Sequence, residues 1–421
     1  MDRLIINGKR CLKGEVKVQG AKNAVLPILA ASILSKGKCT LMNSPALSDV
    51  SVASDILEFL GCDVQFSHNT VTVDSSGADK YIIPATLMEK MRSSVMFLGA
   101  VISRFRKAVI TQPGGCDLGS RPIDIHIKAL RQLGVEIQEE QGIILCFCDE
   151  IKPCKITLDF PSVGATENVM LASCISKGTT VLVNAAREPE IVDLQNFVNA
   201  MGGKISGAGT NEIVIEGVKE LKGCTYCVMP DRIATATYLC ACALCGGEIA
   251  LKGAAYEHIK SVTDVLIYSG CDIKTYGNDV IVLKSQGKLS AKPLIETAVY
   301  PGFPTDAQPV ITACMCCAEG KSVVRENIFS DRFRYCSQLK KMGADINIVG
   351  TGAFINGTES LFGADVEAME LRGGAALVLA GLKAEGKTTV TNVNYIDRGY
   401  EKIEKVFSGL GADIRRETDE G

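Results

Sequence analysis

Cations, amides and carboxylates stand just ahead of five apolar stretches in this chain. Lys22-Asn23 precedes 24–34, Lys90 and Arg92 precede 93–102, and Asp231-Arg232 precedes 233–244. Asp306 precedes 307–318, and Glu370 and Arg372 precede 373–382. If the stretches are helices, these groups sit at N-termini, where free N–H groups and the helix dipole present partial positive charge. A lysine or arginine there works against the dipole and needs another reason. One such cation alone reads as a side chain reaching past its helix to water. The feature repeated at one structural position points to several cations converging on an anionic ligand.

Three further segments carry candidate chemistry. In Gln112-Pro-Gly-Gly-Cys116-Asp-Leu-Gly-Ser-Arg121-Pro-Ile-Asp124-Ile-His126, glycines and prolines surround a single thiol. Such a turn is where a lid or binding residue is expected. With Arg121 and a helix start nearby, the Cys116 thiolate would be favoured. It reads as a nucleophile, as a proton donor, or as a surface thiol without a role. Tyr300-Pro-Gly-Phe-Pro-Thr-Asp306 stiffens the approach to a carboxylate that either caps a helix or acts as a general base. Tyr395-Ile-Asp397-Arg398-Gly-Tyr400 sets an arginine before the last helix. His68, His126 and His258 fit no Ser-His-Asp or Cys-His pattern, and His126 reads as structural or supporting rather than as a base.

These groups need a frame, and the frame is a repeat. A helical stretch, then Gly, two residues and Val or Ile recurs at Gly61, Gly134, Gly202, Gly270, Gly343 and Gly411, spaced 73, 68, 68, 73 and 68 residues apart. A period of about 70 residues is duplication of a whole supersecondary unit, not a solenoid array. Each copy also holds one apolar run: 24–34, 93–102, 166–175, 233–244, 307–318 and 373–382. All but the second end in Gly and a β-rich stretch, a helix stop signal. Runs apolar on most faces are buried helices, and these are too short to span a bilayer. The unit reads as buried helix, strand, amphipathic helix, Gly, strand, turn, strand. The amphipathic helix is clearest over 47–60, and the strand pair over 64–66 and 71–73. A chain of 421 residues is long for one core and suits two domains of three repeats each, divided near Pro230. The strands at 4–6 and 15–18 would fit with either half.

Composition excludes several classes. A net charge of −3 with no basic run disfavours nucleic acid. The N-terminus shows neither a secretory leader nor a membrane segment, so no membrane partner is expected. Eighteen cysteines could mean disulfides. Cys240, Cys242, Cys245, Cys314, Cys316 and Cys317, however, fall inside apolar runs, where cysteine acts as a small hydrophobe, which fits a reducing cytoplasm. Cys242-Ala-Leu-Cys245 has metal-type spacing but no second pair.

Several motifs carry a family resemblance. They are Gly20-Ala-Lys22-Asn23-Ala, Pro113-Gly-Gly-Cys116 with Gly119-Ser-Arg121-Pro, and Ser162-Val-Gly-Ala-Thr166. With them go Asn184-Ala-Ala-Arg-Glu-Pro-Glu190, Phe303-Pro-Thr-Asp306, Leu371-Arg372 and Asp397-Arg398-Gly-Tyr400-Glu. In order, over about residues 1 to 415, the chain resembles the UDP-N-acetylglucosamine 1-carboxyvinyltransferase family of enolpyruvyl transferases. The resemblance implies an α/β fold of two inside-out α/β barrels, six βαβαββ-like repeats, three per domain. One domain would span residues 22–229 and the other 1–21 with 230–421, with the active site in a cleft that closes on the nucleotide sugar.

It also implies a cytoplasmic transferase of peptidoglycan precursor synthesis, with neither metal nor cofactor. The substrates would be phosphoenolpyruvate and UDP-N-acetylglucosamine, and the inhibitor of the fosfomycin type. By motif, Cys116 would protonate the methylene carbon, and Asp306 would take the proton of the sugar 3-hydroxyl. Lys22, Arg121 and Arg398 would hold phosphoenolpyruvate, Arg372 would lie on its carboxylate side, and Asn23 would stabilise the tetrahedral intermediate. Arg92, Arg121, Pro122, Ile123, Asp124, Ile125, Ser162, Val163, Gly164 and Ile328 would contact the nucleotide sugar. Two positions depart from the family pattern: Glu370 where Asp is usual, which would shift Arg372, and Phe160 where some relatives have Lys. The rivals are the shikimate-pathway enolpyruvyl transferase, which lacks the Gly-Gly-Cys loop, and a silent paralogue, which should have lost the acid or the base.

Overall fold

The computed structural model describes residues 2–111 and 123–418, apart from the Arg92 side chain. All six apolar runs are helical: Lys22–Ser32, Phe97–Phe105, Val163–Ser173, Arg232–Cys245, Gln308–Cys316 and Leu371–Lys383. The second and fifth are entered through short 3-10 turns, Arg92–Met96 and Thr305–Ala307. Nearly every residue of these helices is buried. Each enclosed Leu, Ile or Val side chain contributes about 1.5–3 kcal/mol, so a polar face would be a liability.

The six repeat glycines have one physical cause. Gly61, Gly134, Gly202, Gly270, Gly343 and Gly411 take φ of +98, +83, +97, +100, +91 and +92°. Each follows an amphipathic helix, and the next residue returns its N–H to a carbonyl five residues back, as Cys62 does to Leu57 and Ala412 to Phe407. This left-handed turn satisfies the last carbonyls and starts the strand, and a Cβ would be strained there. The second buried helix lacks a terminal Gly because Arg106 adopts the left-handed conformation itself, at φ +60°.

The chain divides into two compact units. Among the described residues, a mid-chain unit holds 20–111 and 123–229, and a terminal unit holds 2–19 and 230–418. Each has its own hydrophobic core. The strands at Asp2–Asn7 and Leu12–Lys17 lie in the terminal unit. In that unit the helices Arg232–Cys245, Gln308–Cys316 and Leu371–Lys383 pack on one another.

The sheets repeat one plan, a parallel pair followed by antiparallel neighbours. Thr225–Cys227 runs parallel to Lys38–Met42, which pairs antiparallel with Thr70–Asp74, which in turn pairs with Asp63–Ser67. The same order recurs from Lys155–Thr157, Leu12–Lys17 and Leu294–Glu296 as the parallel edges. Around Lys107–Thr111 the parallel edge is reduced to one bridge, Ile82 with Val109. In the sixth repeat Asp2–Asn7 inserts between Lys387–Thr391 and Asp413–Thr418. Two edge strands are exchanged along the chain. Thr225–Cys227 serves the first repeat and Leu12–Lys17 serves the fourth, so the βαβαββ unit closes across long sequence distances.

No helix among the described residues is long and apolar enough to cross a membrane.

Candidate active site

In the mid-chain unit, Lys22 opens its buried helix and is itself buried, with Nζ 2.7 Å from Asp49 Oδ2. Asp49 belongs to the first turn of the helix Ser48–Phe59 and is 1 % exposed. The lysine is therefore held inside by a carboxylate and does not reach past its helix to water. Asn23 follows it, half-buried.

Ser162 caps the helix Val163–Ser173, its Oγ accepting from Ala165 N at 3.4 Å. Gly164 has no side chain because a Cβ would stand 2.8 Å from His126 Cε1. That contact brings two expected segments together, Ser162-Val163-Gly164 and Ile123-Asp124-Ile125. His126 Nδ1 lies 2.8 Å from Asn168 Nδ2, which also donates to Val95 O. Asn168 Oδ1 accepts from Gly99 N at 2.6 Å. An amide donor against Nδ1 makes that nitrogen the acceptor, so the ring is a packing and hydrogen-bonding piece here. Phe160 is exposed. Nearby, burial raises the Glu167 carboxyl, with Glu190 and Glu188 adding to the effect.

In the terminal unit, Asp306 gathers arginines. Arg332 Nη2 donates to its Oδ1 at 3.0 Å and Arg372 Nη2 to its Oδ2 at 3.4 Å. Both guanidiniums are buried, 2 % and 3 % exposed. Arg332 Nε and Arg372 Nη1 are buried with no hydrogen-bond partner among the described residues. Burial opposes the charge on Arg332, yet Glu370 and Asp306 outweigh it and raise the pKa. For Arg372 burial is again opposed, chiefly by Asp306, and the pKa rises. Buried donors without partners are costly, and two of them fall in this one cluster.

The surroundings fix this cluster. The Glu370 side chain caps the helix Leu371–Lys383, accepting from Arg372 N at 2.7 Å and from Gly373 N. Despite the extra methylene, Arg372 still reaches Asp306. Asp306 lies within the Thr305–Ala307 turn, ahead of the helix Gln308–Cys316, and its carboxylate meets both guanidiniums. Glu326 accepts from Thr305 Oγ1 at 3.0 Å, from Thr297 Oγ1 at 2.9 Å and from Ile328 N at 2.8 Å. It thereby ties the segment of Asp306 to that of Ile328. Arg372 stacks over the Tyr400 ring at 5.6 Å, and Gly399 is backed by Leu371. The half-buried Arg398 thus belongs to a loop packed on the start of the Arg372 helix. Arg232 is buried with its guanidinium 5.8 Å from the Tyr300 ring.

Cys116, Arg121 and Pro122 lie outside the described residues, as does the Arg92 side chain. Arg332, Asp49 and Glu326 were not singled out in the sequence. Arg332 sits in Ser330-Asp-Arg-Phe-Arg334, which reads as a solvated turn, and no local pattern signals its burial.

The model of the EPSP synthase (3-phosphoshikimate 1-carboxyvinyltransferase) family matches residues 6–407. The chain is 51 % identical over 416 residues to a UDP-N-acetylglucosamine 1-carboxyvinyltransferase 2 of Caldanaerobacter subterraneus subsp. tengcongensis, covering 99 % of this chain and 100 % of the relative. It is 45 % identical over 421 residues to a UDP-N-acetylglucosamine 1-carboxyvinyltransferase 1 of Carboxydothermus hydrogenoformans, covering 100 % of this chain and 99 % of that one. The enolpyruvyl transferase NikO of Streptomyces tendae has the same fold, with a TM-score of 0.88 at 24 % identity over 99 % of this chain and 98 % of its own. An EPSP synthase of Acinetobacter baumannii follows at TM-score 0.74 and 19 % identity, over 99 % and 100 %. With a family model spanning nearly its whole length and relatives this similar from end to end, the chain belongs to the enolpyruvyl (1-carboxyvinyl) transferase family and is a transferase.

Proposed function

We propose that this chain transfers the enolpyruvyl group of phosphoenolpyruvate to the 3-hydroxyl of UDP-N-acetylglucosamine and releases phosphate. The relatives that share half its residues carry that name. The observation that carries the chemistry is the Asp306 cluster, a carboxylate beside two buried guanidiniums that retain unpartnered donors.

The reaction is an addition followed by an elimination. Asp306 accepts the proton of the sugar hydroxyl, and the oxygen bonds to C2 of phosphoenolpyruvate. Cys116 delivers a proton to C3, giving a tetrahedral intermediate. The Cys116 thiolate then takes a proton back from C3, which regenerates the double bond and expels phosphate from C2. Lys22, Arg121 and Arg398 bind the phosphate and carboxylate oxygens, Arg372 faces the carboxylate, and Asn23 hydrogen-bonds the intermediate. Preorganised cations around a developing charge are the largest source of rate in such sites, because they need no rearrangement as the charge moves. Arginine suits the planar carboxylate, which it meets with two parallel bonds.

The loop bearing Cys116 supports the sugar nucleotide over shikimate 3-phosphate as acceptor, since the shikimate enzymes lack it. The nucleotide contacts are Arg92, Arg121 to Ile125, Ser162 to Gly164 and Ile328. A cytoplasmic location fits the thiol load, because every described cysteine is unpaired.

Phosphate release from phosphoenolpyruvate tests the reading. Release with UDP-N-acetylglucosamine and none with shikimate 3-phosphate is expected. Release only with the shikimate ester would overturn the acceptor, and release with neither would make the chain a silent paralogue.

A further inference from the structure

The Arg398 loop is gripped on both flanks by side chains that the reaction itself does not use. On one flank the Arg416 guanidinium lies against Asp397, with Nη1 donating to Oδ2 at 2.8 Å and Nη2 to Oδ1 at 2.6 Å. The same group donates to Asp2 Oδ2 at 3.0 Å and to Glu404 Oε2 at 3.2 Å. A two-pronged contact of this kind fixes orientation as well as distance. On the other flank the Gln19 amide spans the loop backbone. Its Nε2 donates to Gly399 O at 3.1 Å, and its Oε1 accepts from Glu401 N at 2.9 Å. Gln19 is itself fixed, because its carbonyl accepts from Asp231 N at 2.9 Å.

We propose that Gln19 and Arg416 are positioning residues that hold the backbone on either side of Arg398, so that its guanidinium is set for the anionic end of phosphoenolpyruvate. The inference rests on the reading of Arg398 given above. Two observations favour positioning over a merely structural tie. The strand Asp413–Thr418 is already fixed by its ladder to Asp2–Asn7, so the Arg416 contact with Asp397 is not needed to hold that strand in its sheet. Both grips converge on one short turn, with Arg398 between Asp397 and Gly399. Gln19 also stands three residues before Lys22 in the chain, so one segment carries a cation and steadies the loop of another.

Steady-state kinetics on the full chain, with each substrate varied, test this. Gln19→Ala and Arg416→Met should each raise KM for phosphoenolpyruvate about ten-fold or more, as small misplacements of binding groups do. KM for UDP-N-acetylglucosamine should stay within about two-fold, the split that marks loss of one substrate's contacts. Arg416→Lys keeps the charge but not the two-pronged geometry and should fall between wild type and Arg416→Met. Arg398→Ala is the reference. If it raises KM for phosphoenolpyruvate while folded Gln19→Ala and Arg416→Met do not, the inference is overturned and the reading of Arg398 stands. If Arg398→Ala leaves that constant unchanged, the reading fails and the inference with it. A parallel rise in both constants, tracking lost stability in urea, makes the two residues structural and overturns the proposal. Should Gln19→Ala not fold, Gln19→Asn, one methylene shorter, carries the same comparison.

Discussion

Lys22 Nζ stands 2.7 Å from Asp49 Oδ2, and both side chains are buried. A buried ion pair adds little net stability, but removing one partner leaves a charge stranded at a cost of about 3–5 kcal/mol. Asp49→Ala should therefore lower the free energy of unfolding in urea by up to roughly that amount. It should also raise KM for phosphoenolpyruvate, because Lys22 loses an ionic anchor. A variant as stable as wild type would show that other partners hold the lysine.

Asp306→Asn should cut kcat by about 10²- to 10⁴-fold, the usual contribution of a positioned base. Calorimetry should find UDP-N-acetylglucosamine binding little changed. The variant also removes the charge shared by Arg332 and Arg372, so its unfolding must be measured alongside. Unchanged kcat in a folded variant would assign the base elsewhere.

An epoxide analogue of phosphoenolpyruvate should alkylate Cys116 first. Burial pushes the thiols of Cys62, Cys146, Cys174, Cys242, Cys317 and Cys336 up to about 12, which makes them poor nucleophiles near neutrality. The Cys224 thiol hydrogen-bonds to Cys39 and lowers its pKa, but Cys39 is buried, while Cys11 and Cys227 are the exposed competitors. Peptide mapping that finds the label on any of the seventeen other cysteines before Cys116 would count against a poised loop thiol. Cys116→Ala should lose most turnover and still fold.

Burial raises the Asp193 carboxyl to about 6, against the pull of Tyr226 Oη and Met229 N toward the charged form. The neutral acid is favoured in the fold. Its stabilising effect is full below the unfolded value near 4 and is lost as pH rises through about 6. Relative to Asp193→Asn, wild type should lose up to about 3 kcal/mol between pH 4 and pH 7 in urea unfolding. A difference independent of pH would refute this.

What the sequence disclosed was whatever local physics dictates. Gly61 and its five counterparts announce a left-handed turn that few side chains tolerate, and an unbroken apolar run such as 233–244 announces burial. The second repeat hid its stop because Arg106 takes the glycine's conformation. Asp306, Lys22 and Arg398 stood out because they sit beside such punctuation. Arg332, Glu326, Asp49 and Gln19 did not. Each acquires its surroundings from segments far along the chain, and a polar residue in a polar turn looks alike whether or not the fold later encloses it.

The strand Asp2–Asn7 is flanked by Lys387–Thr391 and Asp413–Thr418, so residues 2–7 wait for residues 387–418 before their sheet can close. On the ribosome the mid-chain unit has all its strands once residue 227 emerges and can fold early. The terminal unit cannot finish until residues 413–418 have followed. The two units of one polypeptide therefore mature on different clocks.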